Sequence, residues 1–436
     1  MEGPDALGPG SEIREGISPP APADERAAMP RQRRFRPGTE ASPFHQFMVA
    51  LNRLERLPWA FLALWALALG VIIGLAWGKA SGSLEIGIAA AGTFLAFAGG
   101  DALMLILLPR LGYSFGPPRP PFVAFTLFRL FLSLGTLPLQ PFSWAIGLAL
   151  IGHLAFTGNL LNALYREPFR LTLTELVVAS PKLRGMPPLR VLHLTDLHLE
   201  RLTRREQQVL RWIEELDPDL IVFTGDLLNL SYVHDPQAQA QCSRFLEALR
   251  APLGVYLVTG TPLVDPPEVV RRILFGFTHI TWLNNQVVRF GKLGHQGPQV
   301  CLLGLTCTHD PERDGERLRE LMRQIPAHAL TVLLYHSPDL FPEASALGID
   351  LYLCGHTHGG QIRLPLIGAL VTASIYGKRY EMGLYRRGPT TMYVSRGLGM
   401  EGLGMPRIRL MCPPEIVLIH LQSDEPEGSK GLSTSS

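Results

Sequence analysis

Cys354-Gly355-His356-Thr357-His358-Gly359-Gly360-Gln361 follows the apolar run Ile349-Asp350-Leu351-Tyr352-Leu353, which reads as a buried strand delivering a loop to a sheet edge. Two histidines one residue apart in an extended loop can offer imidazole nitrogens to a pair of neighbouring metals. The glycines on both sides let the backbone bend tightly and come close to an ion or a phosphate. Alone, such a pair is equally consistent with polar surface. Three further apolar runs end in residues of the same chemistry. Val191-Leu192-His193-Leu194-Thr195 ends in Asp196-Leu197-His198, Leu220-Ile221-Val222-Phe223-Thr224 in Gly225-Asp226, and Leu330-Thr331-Val332-Leu333-Leu334-Tyr335 in His336. Side chains at the carboxyl ends of buried strands face one crevice in a layered α/β sheet. Asp196, His198, Asp226, His336, His356 and His358 therefore form one candidate metal site.

This Asp-x-His, Gly-Asp, His, Gly-His-x-His order resembles the calcineurin-like metallophosphoesterases. The resemblance runs from about Leu171 to Leu421 and includes Tyr393-Val394-Ser395-Arg396-Gly397-Leu398-Gly399 and Pro414-Glu415-Ile416. It implies an α/β four-layer sandwich, two sheets with flanking helices. It also implies two divalent metal ions (Mn, Fe or Zn), with Asp196, His198 and His358 at one, His336 and His356 at the other, and Asp226 bridging them. The activity implied is hydrolysis of a phosphomonoester or phosphodiester, lipid-linked esters included, by a metal-bridging hydroxide. The residue chemistry agrees, since carboxylates with imidazoles suit these metals, and two ions about 3.5–4 Å apart can clamp phosphate oxygens.

One part of the pattern departs. The family carries Gly-Asn-His-Asp after its third strand, the Asn ligating the second metal and the His protonating the leaving group. Here the matching strand Gly254–Thr259 leads to Gly260-Thr261-Pro262-Leu263-Val264-Asp265. Thr261 offers a hydroxyl, a weaker ligand than an amide oxygen, so the second metal site is expected to be weakened. Pro262 has no proton chemistry. Such help is typically worth about 10²–10⁴-fold in rate. His309, His279, Asp265, Asp310 and water all remain open as the general acid. The alternative class is a non-catalytic metal-binding module that senses or binds a membrane partner. The retained ligand set argues against it, because nothing in a binding module requires that set. Arg396, Lys378, Arg379 and the segment from Met400 to Met405 receive no role.

A formal net charge of +2 over 436 residues does not suggest nucleic-acid binding, and no protein partner is indicated. Cys242, Cys301, Cys307, Cys354 and Cys412 form no metal or disulfide spacing, which fits a reducing compartment. Residues 1–43 lack apolar periodicity and are expected to be disordered. Their basic cluster, Arg31, Arg33, Arg34 and Arg36, suits anionic headgroups, and the stretch is too long and polar for a secretory signal peptide.

Region 44–168 reads as an all-α transmembrane helical bundle. Its apolar segments near 58–77, 86–108, 121–139 and 142–164 each approach the ~20 residues that a bilayer requires. Pro138 and Gln140 make the third the weakest. Asp101 and Arg129 interrupt the second and third and are expected to neutralise each other. Arg53, Arg56, Arg110, Arg119, Arg166 and Arg170 fall on one side of a four-span topology and only Lys79 on the other. Positive charge on the inner side then makes this a multi-pass protein of the inner (cell) membrane, with the tail and the phosphoesterase domain, 169–422, in the cytoplasm. Three spans would reverse the domain. A polar tail, 423–436, closes the chain. Tethering would concentrate the enzyme on lipid-borne substrates, or merely localise it for a soluble one.

Within the domain, Leu171–Val178 alternates like a strand, and a turn around Pro181–Pro188 leads to the Asp196 strand, predicting a hairpin. Thr203–Leu216 has the spacing of an amphipathic helix packed on a sheet. Pro236–Arg250 and Pro311–Ile325 read as further helices between strands, and such alternation predicts a layered α/β core.

Overall fold

A computed structural model of the chain describes residues 43–139, 141–291 and 299–424. Apart from Pro43, Ser423 and Asp424, the two expected tails lie outside the described residues. The helical region comprises α1 (Pro43–Asn52), α2 (Trp59–Ser81), α3 (Leu84–Leu107), α4 (Arg119–Gly135) and α5 (Phe142–Leu161). α2, α3 and the helical stretch starting at Phe142 are long and apolar enough to cross a membrane. α4 is shorter than the expected third span, at 17 residues, and falls outside that set. Pro120 and Pro121 fix its first turn, and its polar residues Thr126, Arg129 and Ser133 are buried on one face.

α4 nonetheless runs alongside the others from end to end. Near its start, Arg119 N–H donates to Glu55 Oε2 at 3.1 Å. Midway, Trp65 Nε1 donates to Thr126 Oγ1 at 3.2 Å. At its far end Trp77 Nε1 donates to the Ser133 carbonyl at 3.0 Å, and Trp77 also meets the Phe142 ring. A 17-residue helix rises roughly 26 Å, close to a hydrocarbon core of about 30 Å. α2 and α3 approach so closely that a side chain at Gly87 would collide with the Gly74 carbonyl. Asp101 and Arg129 pair as expected, with Arg129 Nε to Oδ2 at 2.6 Å and Nη2 to Oδ1 at 2.7 Å.

The remaining elements are β1 (Thr172–Ala179), β2 (Leu189–Leu194), α6 (Arg204–Leu216), β3 (Leu220–Phe223), α7 (Pro236–Glu247), β4 (Val255–Leu257), α8 (Pro267–Ile273), β5 (Ile280–Trp282), β6 (Gln286–Gly291), β7 (Gln299–Gly304), α9 (Pro311–Met322), β8 (Leu330–Leu334), α10 (Phe341–Ala346), β9 (Leu351–Cys354), β10 (Arg363–Leu364), β11 (Gly368–Ala369), β12 (Gly383–Arg387), β13 (Thr390–Val394) and β14 (Glu415–Gln422). Two six-stranded sheets form, ordered β1-β14-β2-β3-β4-β5 and β12-β13-β9-β8-β7-β6. Alternate residues divide the core. Val191, Val222, Val332, Leu353 and Val417 fill the space between the sheets. Leu192, Ile221 and Leu418 pack outward with Val209, Ile213 and Phe245 of the helices, while Leu303, Leu333 and Tyr352 do so with Leu318 and Phe341. This is the four-layer α/β sandwich. Thr203 opens α6 with a capping box completed by Glu206.

The predicted β1–β2 hairpin does not form, because β14 lies between them, parallel to β1 and antiparallel to β2. The residues explain the order. β14 is apolar from Ile416 to Ile419 and buried on both faces from Glu415 to Ile419, as an interior strand must be, whereas β1 alternates with Glu175 and Val177 exposed and takes the edge.

The bundle and the sandwich share an apolar cluster in which Ile362, Ile408 and Leu410 join Leu105, Phe122 and Leu164. Polar ties reinforce it, from Arg409 N–H to the Ala163 carbonyl at 3.1 Å, from Cys412 N–H to Glu167 Oε1 at 2.7 Å, and from Phe115 N–H to Glu200 Oε2 at 2.9 Å.

Candidate metal centre

Each strand that ends at the crevice hands over to a short loop in which the site residues sit. β2 delivers Asp196 and His198, β3 Asp226, β4 Thr261, β8 His336 and β9 His356 and His358. One sheet thus supplies the carboxylates and His198, and the other supplies the remaining imidazoles. The loops turn sharply. Among the described residues twelve non-glycine positions have positive φ, and six of them are Asp196, His198, Asp226, His309, His356 and His358. Strain of this kind costs on the order of 1–3 kcal/mol per residue and persists where surrounding structure enforces it. Gly355 is required at its position, since a side chain there would collide with Asp196 Oδ2.

The six predicted residues come together, all buried, in two groups that could hold a metal ion: Asp196, His198 and His358, and Asp226, His336 and His356. In the first, His198 Nε2 and His358 Nε2 are 3.0 Å apart, and His358 Nε2 is 3.5 Å from Asp196 Oδ1. In the second, His336 Nε2 and His356 Nδ1 are 3.0 Å apart. Asp226 Oδ2 reaches both groups, 3.4 Å from His198 Nε2 and 3.2 Å from His336 Nε2. The inward nitrogens are fixed by what holds the outward ones. His336 Nδ1 lies 2.7 Å from the Thr224 carbonyl, His356 Nε2 2.9 Å from the Ala373 carbonyl, and His198 Nδ1 3.0 Å from Glu401 Oε2. Once its inward proton is displaced, an imidazole that donates outward presents a lone pair inward. Facing lone pairs beside two carboxylates fit a pair of divalent cations.

The electrostatics follow from this geometry. Burial lowers the basicity of His198, but the hydrogen bond and charge of Glu401, with Asp226 and Asp196, carry it up to about 9. His336 is likewise opposed by burial and raised to about 9 by Asp226 and Asp196. Burial would raise Asp226, yet His336, His198 and His356 hold it well below the usual carboxylate range. His356 and His358, pushed down by burial and by neighbouring cationic groups, stay neutral.

Thr261 stands at the departure from the family motif. Its N–H donates to Asp226 Oδ1 at 2.6 Å, and its Oγ1 lies 3.3 Å from Asp226 Oδ2 and 3.4 Å from His336 Nε2. Of the open candidates for proton transfer, His309 alone reaches this group. It is buried, its Nε2 is 3.4 Å from Thr261 Oγ1, and its ring centre is 4.7 Å from that of His356. Its Nδ1 has no partner among the described residues. Burial and the neighbouring His336 lower its pKa to about 3. His279 lies beside Arg250, just before β5 and at the opposite end of that sheet. Asp310 caps α9. The Asp265 carboxylate accepts the N–H groups of Asp226, Leu227 and Gly260 at 2.7–2.9 Å, bracing the loop instead of facing the crevice. Arg396 pairs with Glu415.

Glu401 and the bracing role of Asp265 escape a sequence reading. The stretch Gly397–Gly404 looks like a turn, and nothing local says that its one carboxylate reaches His198.

The model of the calcineurin-like phosphoesterase family matches residues 189–264. The chain is similar to the uncharacterized metallophosphoesterase YkuE of Bacillus subtilis, 30% identical over 276 residues that cover 62% of this chain and 93% of that one. It is 40% identical over 249 residues to the phosphodiesterase YaeI of Escherichia coli, covering 54% and 82%. It is 26% identical over 304 residues to the UDP-2,3-diacylglucosamine pyrophosphatase LpxG of Chlamydia trachomatis, covering 58% and 90%. With its sandwich, its converging strand ends and these relatives, the chain belongs to the calcineurin-like metallophosphoesterase family.

Proposed function

We propose that this protein is a membrane-embedded, metal-dependent phosphoesterase whose substrates include lipid-linked phosphoesters or phosphoanhydrides. The observation that carries the reading is Asp226 Oδ2, which lies within 3.4 Å of one inward-facing imidazole nitrogen in each group. Asp196, His198 and His358 would hold one divalent ion, His336 and His356 the other, and Asp226 both. Two such ions supply Lewis-acid stabilisation of phosphate oxygens and an activated water.

The chain's own residues hold that arrangement in register. The Thr261 N–H occupies Asp226 Oδ1 and leaves Oδ2 for the centre. Thr224, Ala373 and Glu401 fix three imidazole orientations, and Asp265 holds the Asp226 loop. Thr261 Oγ1 lies against the second group, but we assign His309 as the principal group replacing the family's Asn. A neutral imidazole suits ligation, and one so engaged would have no proton to give. Protonation of the leaving oxygen then falls to solvent, which favours leaving groups that need little proton, such as an aryl oxide or one phosphate of a phosphoanhydride. The name of the relative LpxG denotes a substrate of that second kind, carried on a diacylated sugar.

Residues 1–43 would be a basic tail, 44–168 a four-span bundle, 169–422 the phosphoesterase domain and 423–436 a second tail. α4 carries the topology. Running the length of the bundle, it carries the chain to the side on which α2 ends, so that α5 returns it to the side on which α2 began, and the arginines of that side make it cytoplasmic. The full chain, purified in detergent with Mn, tests the function through bound metal and hydrolysis of an aryl and an alkyl phosphodiester beside an Asp226→Ala control. Two metals per chain are expected, with the aryl ester strongly preferred. Activity in the control should fall about 10³-fold or more, since one electrostatic anchor alone is typically worth about 10²–10³-fold. One metal or none, with turnover no higher than the control, would establish the non-catalytic module instead.

A further inference from the structure

Apolar side chains exposed on the sandwich are not scattered evenly. Among the described residues eleven large ones are exposed there, and six lie within residues 364–375: Leu364, Leu366, Ile367, Leu370, Val371 and Ile375. They decorate the β10–β11 hairpin and the segment after it, with Leu366 at the turn fully exposed. A soluble surface rarely concentrates apolar residues in this way.

The hairpin's two attachments explain the placement. At its base, Ile362 bridges to Leu410, and both pack into the apolar cluster that joins sandwich to bundle. Leu366 is four residues from Ile362, so it lies within roughly 14 Å of that junction. The other attachment is the metal centre. The hairpin leaves the chain just after His358, Ala369 packs against Gly360, and the Ala373 carbonyl holds His356 Nε2. Lys378 Nζ donates to the Ile367 carbonyl, and the exposed Arg379 follows, so cations flank the apolar stretch.

We infer that residues 364–375 seat in the membrane surface beside the bundle, so that the metal centre opens onto the bilayer and takes amphiphilic phosphoesters from it. The inference rests on the proposed membrane-embedded phosphoesterase and names its substrate class. Apolar residues entering the headgroup–acyl boundary, with basic residues behind them, are the pattern of interfacial membrane binding. Continuity with the bundle selects the bilayer as the occupant of this patch.

The test uses the full chain in nanodiscs of phosphatidylcholine and phosphatidylglycerol. All five native cysteines are buried, so Leu366→Cys accepts an environment-sensitive fluorophore selectively, with Phe275→Cys, exposed just after α8, as a control outside the apolar stretch. Nitroxide-bearing acyl chains should quench the label at 366 and leave that at 275 unaffected. In parallel, Leu366→Ser/Ile367→Ser/Leu370→Ser should lower hydrolysis of a long-chain phosphodiester in the nanodisc about tenfold or more, through KM. It should leave a water-soluble aryl phosphodiester within about twofold and metal content unchanged, because those side chains lie outside the metal groups. An unquenched label overturns the inference, and so does an equal loss on both substrates. A label shielded without quenching, in a chain that dimerises, assigns the patch to a second copy and overturns it too. Quenching needs no turnover, and the soluble ester tests the phosphoesterase reading by itself, so failure of one is separable from failure of the other.

Discussion

The chain buries two polar clusters, one in the helical bundle and one in the sandwich, and they are built on opposite terms. In the bundle, the Arg129 guanidinium meets both Asp101 oxygens, Thr157 Oγ1 at 2.8 Å and the His153 carbonyl at 3.3 Å. Ser133 Oγ meets His153 Nε2 at 3.1 Å, and the Phe97 and Phe156 rings flank the guanidinium. Charge is met by charge, on helices without positive φ at any of these residues. In the sandwich, imidazole nitrogens face one another at 3.0 Å beside two carboxylates, on backbone held in a strained region. A cluster that satisfies itself is structure; a cluster that satisfies itself only with something added is a site. Asp101 and Arg129 therefore carry the bundle's fold, whereas Asp226 and its neighbours are arranged for a ligand.

The largest effect that separates the two comes from breaking the bundle pair on one side only. Arg129→Leu leaves a buried carboxylate without its partner and should cost about 3–5 kcal/mol. The double variant Asp101→Leu/Arg129→Leu removes both charges and should recover most of that loss. Unfolding of the full chain in mixed micelles measures both. A double variant as unstable as the single one would mean that the pair has a role beyond neutralisation, and the contrast would fail.

Next in size are the groups that hold the candidate metal centre from outside. Glu401→Gln removes the charge that orients His198, and loss of such a partner typically lowers metal affinity about 10–100-fold. Mn titration of the full chain reads the change. His309→Ala should weaken the second site by a comparable factor, and Thr261→Asn in the same chain should restore part of it. Unaltered binding in His309→Ala would make that histidine a mere neighbour.

How much of this was legible in the sequence depends on whether the cause was local. The ligand-type residues stood at the ends of apolar runs, and a strand fixes where its last residue points, so their convergence could be read before any contact was known. The Asp101–Arg129 pairing was readable for another reason, since two charges in neighbouring apolar segments have few other ways to be neutralised. The β1–β2 hairpin failed because β14, from the far end of the chain, competes better for an interior position. α4 is shorter than expected because it stops at Gly135, ahead of Pro138, whereas the apolar run continues to Leu139. Glu401 and His309 reach the centre from loops whose course depends on the whole sandwich. The hairpin at 364–375 was invisible for the plainest reason, that an apolar run carries no mark of whether it is covered.

A third buried carboxyl tests the contrast at the smallest scale. Asp339 is as deeply buried as Asp101 but has only neutral partners, Ser374 Oγ at 2.6 Å and the Ile375 N–H at 3.3 Å. Burial therefore raises it from 3.8 to about 6, against the pull of those hydrogen bonds. Because the folded state holds this proton more tightly than the unfolded one, the stability it contributes is complete below pH 3.8 and is lost as pH rises through 6. Between pH 5 and pH 7 the loss should be roughly 1 kcal/mol. Asp339→Asn keeps an oxygen for Ser374 and Ile375 and cannot ionise, so it should flatten that part of the stability profile. The variant's Tm, measured on metal-loaded protein, should gain about 2–4 °C on the wild type between pH 5 and pH 7. Parallel profiles would show that Asp339 is ionised throughout, and that neutral hydrogen bonds alone can hold a buried carboxylate in this sandwich as Arg129 holds one in the bundle.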